Sequence, residues 1–146
     1  MRFEEATDVV APPSVPWSVL LDVARWPEWT TTVTSVERLD AGELMIGSRT
    51  KVRQPALRPA VWVVTELIEP TASTPGSFVW VSTVPGLVIT ATHSVTAIDD
   101  MTTRVALGID QRGVLAGLVG RLYAARTRRY LATEAAGLST RSHEQV

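Results

Sequence analysis

The sequence predicts an α+β fold, in which a curved antiparallel sheet of seven strands wraps around a long C-terminal helix, with one or two short helices after the first strand. Three observations predict it. Apolar residues recur at helical spacing after a first short strand, then alternate with a period of two over six segments, and return to helical spacing near the C-terminus. A sheet of this size curls with its own twist, and a long amphipathic helix suits its concave side.

The first strand and the first helix are separated by a proline pair. Residues 2–10 mix polar and apolar positions and stop at Pro12 and Pro13, which cannot continue a strand ladder. Ser14 is a suitable helix cap, and apolar residues then follow at helical spacing until Pro27. We therefore expect a helix over about 14–25.

Six further strands follow, separated by Gly, Pro and Asp-Asp turn signals, at 33–39, 47–54, 61–69, 77–83, 87–98 and 102–111. Because the connections are short, we expect an antiparallel meander. One long helix is predicted from Gly113 to about residue 138, with a broad apolar stripe formed by Leu115, Leu118, Val119, Leu122, Tyr123, Tyr130 and Leu131. Residues 1–138 form a single domain in this prediction, and 139–146 form a polar, frayed tail.

Composition excludes several classes of function. The chain has no cysteine, so disulfides, thiolate nucleophiles and cysteine-ligated zinc are excluded. Its net charge is −1, from 14 basic and 15 acidic residues, which predicts no nucleic-acid partner. The acidic start and the absence of an apolar run of about 20 residues predict a cytoplasmic protein without an integral membrane segment. Five tryptophans against two phenylalanines suggest a lined cavity.

The order of elements and several motifs resemble the SRPBCC superfamily, which includes START, birch-pollen-allergen-like and polyketide cyclase/dehydrase-like proteins. The motifs are WSVLLDVARWPEWT at 17–30, PAVWVVTELIEP at 59–70, GSFVWVSTVPGLVITATHSV at 76–95, TTRVALGIDQRGVLAGLVGRL at 102–122 and RRYLATEAAGL at 128–138. The resemblance covers nearly the whole chain. It implies a helix-grip fold with a mostly apolar cavity between sheet and helix, and it carries over no catalytic residue.

Strand alternation predicts which side chains would line that cavity. Along 87–98 one face is rich in threonine and serine, and the other is apolar with one histidine at its centre. The segment 61–69 is ambiguous, and we expect Trp62 and Glu66 to face inward. The predicted ligand-binding residues of the strands are Thr50, Val52, Gln54, Trp62, Glu66, Phe78, Trp80, Ile89, Ala91, His93 and Val95, and those of the last helix are Leu118, Leu122, Tyr123 and Arg126.

His93 is the one catalytic candidate, because imidazole exchanges protons near neutral pH. No orienting acid or nucleophile lies beside it in the sequence, so we expect a hydrogen-bonded interior histidine first, a ligand contact second and a catalytic base third. The other histidine lies in the tail, and no spacing predicts a metal or another cofactor. The arginines at 121–129 are expected on a solvated face, paired with Glu134 and nearby acids, except Arg126, whose spacing from Leu122 and Tyr130 places it on the apolar stripe.

Three functions follow. The leading hypothesis is a monomer or homodimer that binds a hydrophobic small molecule, lipid-like or polyketide-like, between sheet and helix. The alternative is a metal-independent cyclase or dehydratase that uses His93 for proton transfer, with Tyr123 or Arg126 steadying an enolate oxygen. The third is a protein-interaction module, which predicts a collapsed cavity and a large exposed apolar patch.

Overall fold

The structure, a computed structural model, describes all residues from 1 to 146. Its strands are β1 Arg2–Val9, β2 Ser35–Arg38, β3 Arg49–Arg53, β4 Ala60–Ile68, β5 Gly76–Val84, β6 Leu87–Ala97 and β7 Thr103–Arg112. Its helices are α1 Ser14–Leu21, a 3₁₀ helix Val23–Glu28, α2 Ala116–Leu122 and α3 Ala124–Glu144. The predicted order of elements is confirmed.

The seven strands form one antiparallel sheet in the order β1-β7-β6-β5-β4-β3-β2. The strands after β2 follow one another as a meander, and β1 closes the far edge by pairing with β7. α3 packs against β1, β7 and α1, while the 3₁₀ helix covers the other half of the concave face through Trp26. The helix-grip fold is therefore confirmed.

The predicted single C-terminal helix is two helices. The backbone of Tyr123 leaves the helical conformation, with φ −110° and ψ 13°, and separates α2 from α3. α2 contains Gly117 and Gly120, and glycine weakens a helix by about 1 kcal/mol relative to alanine. Only Ala116 and Gly120 of α2 are buried, so packing does not compensate.

The expected frayed tail is also wrong, because α3 continues to Glu144. Ser142 is fully buried, and the backbone N–H of Val10 donates to His143 Nε2 at 3.0 Å. Arg141 Nη2 donates to Glu28 Oε1 at 2.8 Å. These contacts with the β1–α1 connection and the 3₁₀ helix fix a segment whose composition is polar. None of the helices has both the length and the apolar character needed to cross a bilayer.

Close packing of α3 on the chain after the 3₁₀ helix depends on Gly137. A Cβ at this position would overlap the backbone carbonyl oxygen of Trp29, which cannot move aside as a side-chain end can. We expect Gly137→Ala to lower the free energy of unfolding by about 1–3 kcal/mol, because the overlap outweighs the better helix propensity of alanine.

Gly117→Ala in α2 is the matched control. A Cβ there meets nothing within 4 Å, so this substitution is expected to stabilise the protein by roughly 0.5–1 kcal/mol. Urea unfolding midpoints of the two variants measure the difference. Equal midpoints would contradict the close approach of α3 to Trp29.

Candidate ligand-binding site

The inner face of the sheet carries most of the residues that strand alternation assigned to it. Side chains directly opposite each other on antiparallel strands share a face, and the register pairs Phe78 with His93 and Trp80 with Ala91. Thr50 similarly pairs with Trp62. The buried members of this face are Thr50, Val52, Trp62, Phe78, Trp80, Ala91, His93 and Val95, and Ile89 is half-buried.

Aromatic rings fill the centre of the space between the sheet and the helices, which we call the grip. The ring centroid of Trp26, from the 3₁₀ helix, lies 5.2 Å from that of Trp80, 5.5 Å from that of His93 and 6.4 Å from that of Phe78. Trp62 extends the cluster, with its centroid 5.6 Å from that of Trp80. The Trp26 indole N–H donates to the Leu20 carbonyl at 3.0 Å, which holds this ring in place. The cluster forms a rigid apolar floor between sheet and helices.

His93 is enclosed by that cluster. Its ring stacks on Phe78 at a centroid distance of 4.7 Å, and its only hydrogen bond joins Nδ1 to the Phe78 carbonyl oxygen at 2.8 Å. Burial lowers the pKa of His93 to about 4, because desolvation of the imidazolium outweighs the favourable bond to Phe78. The imidazole is therefore neutral at pH 7, and the structure gives it no acid or hydroxyl for proton transfer.

Glu66 faces outward, so its predicted inward orientation is wrong. The register between β4 and β5 shifts between Val64 and Glu66, which marks a β-bulge at Thr65. The extra residue reverses the alternation, so Leu67 packs against the core and Glu66 is exposed. On the outer face, the Ser77 hydroxyl donates to a carboxylate oxygen of Glu66.

Three of the four helical residues expected in the cavity are exposed. Leu118 and Leu122 are 62% and 70% exposed, so both predictions of an inward orientation are wrong. α2 instead buries Ala116 and Gly120, so its two leucines lie on the exposed side of the helix, and Tyr123 is itself 39% exposed. Arg126 is half-buried, with its guanidinium carbon 5.6 Å from the Tyr123 ring centre.

Gln54, a predicted ligand-binding residue of the strands, is half-buried just after β3.

Glu134 is a candidate site residue that the sequence analysis missed. The Thr32 hydroxyl donates to Glu134 Oε1 at 2.9 Å, and the hydroxyl oxygens of Thr30 and Thr32 are also 2.9 Å apart. Burial raises the pKa of Glu134 to about 7, although the bond from Thr32 acts in the opposite direction. No arginine forms an ion pair with it, contrary to expectation. Glu134 lies three residues after Leu131 on the apolar stripe, a signal that could have located it.

The residues of the chain form no group of three or more His, Asp or Glu that could hold a metal ion. A surface cleft of about 370 Å³ lies among Pro12–Ser14, Pro70–Ala72 and Ala97–Asp100, at the end of the sheet opposite α2. A second cleft of about 280 Å³ lies between α1 and the end of α3. None of the predicted ligand-binding residues lines either cleft.

A family model described as polyketide cyclase / dehydrase and lipid transport matches residues 1–142. The chain belongs to this family. Its membership confirms the predicted SRPBCC resemblance. A comparison with curated protein sequences finds no match.

Solved structures show that this family member shares its fold with distant proteins. A hypothetical protein from Helicobacter pylori superposes with a TM-score of 0.81 at 14% identity, over 97% of this chain and 88% of that chain. The Zhui aromatase/cyclase from Streptomyces sp. R1128 gives 0.75 at 18% identity, over 99% and 94%. A START superfamily protein from Mycobacterium smegmatis gives 0.70 at 14% identity, over 99% of both chains. At these identities the likeness concerns the fold alone.

The inner face of this polyketide cyclase/dehydrase family member is incompletely covered near α2. Ile109 pairs with Ala91, and Ile89 pairs with Gln111, so both isoleucines belong to the inner face. Both are only half-buried, whereas Ala91 and Gln111 beside them are buried. Their partial exposure leaves apolar inner-face surface open to solvent at the α2 end of the sheet, and we call this region the recess.

Proposed function

We propose that the protein binds a hydrophobic small molecule, lipid-like or polyketide-like, in the grip between the sheet and α3, with entry at the α2 end. The observation that carries the proposal is the partial exposure of Ile89 and Ile109 on a mostly buried and mostly apolar inner face. Trp62 and Trp80 form the adjoining floor. Covering apolar surface contributes about 25 cal/mol per Å², so contact with the exposed parts of Ile89 and Ile109 supplies most of the affinity in this proposal.

Polar selectivity in this proposal comes from Glu134. Its Oε1 accepts the hydrogen bond from Thr32, whereas Oε2 has no partner within the protein. With a pKa near 7, the carboxyl group is partly protonated at neutral pH and can donate to a carbonyl or hydroxyl oxygen. His93 contributes packing to the floor, because the rings of Phe78 and Trp26 enclose it.

A cyclase or dehydratase reaction in the same grip is a second candidate. It is favoured by the burial of Glu134, which raises the pKa of this carboxyl group to about 7, a value that suits a general acid or base. His93, the base first considered for this reaction, has a pKa of about 4 and no proton-transfer partner. Loss of turnover in Glu134→Gln with retention in His93→Asn would assign the reaction to Glu134, and the reverse result would return it to His93.

Ligand binding is tested by filling the recess. We expect the uncharged fluorescent probe N-phenyl-1-naphthylamine to bind the wild type saturably and to quench tryptophan emission. Ile89→Trp places an indole in the recess. It is expected to weaken probe binding roughly tenfold or more, because the probe loses apolar contact area. Native mass spectrometry of the purified protein, followed by extraction, identifies any ligand that co-purifies.

Val88→Trp is the matched control, because Val88 is the preceding residue of β6 and lies on the exposed outer face. It adds the same indole without entering the grip, so probe binding should be unchanged. Thermal unfolding of both variants checks that the fold is intact. Equal effects of the two substitutions, or no saturable binding by the wild type, would refute the proposed site.

The monomeric or homodimeric state and the cytoplasmic location stay predictions.

A further inference from the structure

An exposed apolar surface lies at the α2 end of the molecule. We define the α2 patch as the aliphatic side chains of Val84, Val114, Leu115, Leu118 and Leu122, which are 49%, 91%, 42%, 62% and 70% exposed. The Leu115 N–H donates to the Gly86 carbonyl at 3.0 Å, which ties α2 to the β5–β6 turn beside Val84. Such a concentration of exposed aliphatic side chains is unusual on a protein surface without a partner.

The chain segment that contributes most of the α2 patch carries only positive charges. Between Gln111 and Thr133 every charged residue is an arginine, and there is no Asp or Glu; these are Arg112, Arg121, Arg126, Arg128 and Arg129. Among the five, only Arg112 forms an ion pair, with Asp110 at 2.8 Å. The chain as a whole has a net charge of −1, so this basic concentration is local.

The combination favours one kind of partner. A second copy of the chain would bring the same patch onto itself about a two-fold axis, and would place Arg121 and its neighbours near their own copies. A phospholipid surface with acidic headgroups accepts both components, since aliphatic side chains enter the acyl boundary while arginines bind the phosphates. α2 has seven residues, about 10 Å at 1.5 Å per residue, so it can lie in the interface but cannot span it.

We propose that the α2 patch docks the protein on anionic phospholipid bilayers. In this orientation Leu118 and Leu122 enter the headgroup–acyl boundary, and Arg121 and Arg129 lie at the level of the phosphates. The docked face contains the end of the sheet at which Ile89 and Ile109 are partly exposed, which gives an apolar ligand a path that avoids water. That path rests on the proposed function, whereas the docking itself does not.

Vesicle co-sedimentation tests the docking with the full chain. We expect binding to vesicles of phosphatidylcholine with 30% phosphatidylglycerol at low salt, with weaker binding at 0.5 M NaCl and weaker binding to pure phosphatidylcholine. Leu118→Ser combined with Leu122→Ser is expected to reduce the partition coefficient by roughly tenfold or more, because two aliphatic contacts are lost. Arg121→Glu combined with Arg129→Glu is expected to have an effect of roughly the same size.

The matched controls lie away from the α2 patch. Ile98→Ser combined with Met101→Ser changes two exposed apolar side chains of the β6–β7 turn, at the opposite end of the sheet, and Lys51→Glu reverses a charge on β3. Both should partition like the wild type. Absence of binding to the anionic vesicles, or equal losses in patch and control variants, would overturn the proposal. So would a dimer in analytical ultracentrifugation that Leu118→Ser with Leu122→Ser converts to monomer, since the patch would then be a self-association surface.

Probe binding and vesicle binding test the two proposals separately, because each can be lost without the other. Leu118→Ser with Leu122→Ser should retain N-phenyl-1-naphthylamine binding, because neither leucine lies on the inner face. Ile89→Trp should retain vesicle binding, because the α2 patch is unaltered. A protein that docks but does not bind the probe would refute the proposed function and leave the docking surface standing.

Discussion

In the Glu134→Gln variant, the free energy of unfolding is expected to fall by ~3 kcal/mol when the pH is lowered from 7 to 4, and His93 is the expected cause. The pKa of His93 is about 4 in the folded protein and near 6.5 when the chain is unfolded. Between pH 4 and 6.5 His93 binds a proton in the unfolded chain but not in the folded protein, so stability rises with pH. One pKa unit corresponds to 1.36 kcal/mol, which gives ~3 kcal/mol over the window.

Glu134 has the opposite sign in the wild type. Its pKa is about 7 in the folded protein against an ordinary value of 4.5, so its contribution is complete below pH 4.5 and is lost as the pH rises through 7. Between pH 4.5 and 6.5 the two groups therefore oppose each other. Because the Glu134 side chain is buried only in part, solvent screening makes its contribution the smaller one. The wild type should consequently show a shallower dependence on pH than Glu134→Gln.

Urea unfolding at half-unit pH steps from 4 to 8 measures both contributions. His93→Asn removes the titrating ring and keeps an amide donor near the Phe78 carbonyl. We therefore expect the stability of this variant to fall as the pH rises from 4.5 to about 7, where Glu134 loses its proton. Glu144→Gln, at the exposed end of the same helix, is the matched control and should parallel the wild type. If Glu134→Gln and the wild type also gave parallel curves, the raised pKa of Glu134 would be wrong.

Strand alternation predicted the inner face well because a strand offers only two orientations for each side chain. On β6 the threonine and serine positions fix the outer face, and His93 and Ala91 are then assigned to the inner one. The same reasoning failed for Glu66, because the bulge at Thr65 inserts one residue without changing composition. Threonine is common in regular strands, so nothing in the local sequence marks this bulge.

The C-terminal helix shows a second limit of prediction from sequence. An apolar stripe indicates which side chains share a helix face, but it does not show whether a core lies opposite that face. Leu118 and Leu122 belong to the stripe and are nevertheless exposed, since the chain breaks at Tyr123. The bond between Thr32 and Glu134 joins residues 102 apart in the chain, and no local pattern reveals such a pair.

Phe78→Ala is expected to have the largest effect on stability, a loss of about 3–5 kcal/mol. Phe78 is fully buried at the centre of the aromatic cluster, between Trp26, Trp80 and His93. Removing the ring eliminates its own burial and leaves a cavity that the rigid neighbouring rings cannot close. Val79→Ala, at the next residue and on the outer face, is the control and should cost about 1 kcal/mol or less. Urea unfolding at pH 7 gives both values.

The same substitution also tests the cause of the low pKa of His93. Because the Phe78 ring stacks on the imidazole at 4.7 Å, its removal admits water to His93 and should raise the pKa from about 4 toward 6.5. Proton NMR resolves this titration readily, since the chain has two histidines and the other, His143, is exposed. Phe78→Leu provides a milder version if Phe78→Ala fails to fold. An unchanged His93 pKa in the folded variants would show that Trp26 and Trp80 suffice to desolvate the imidazole, and would contradict the role assigned to Phe78.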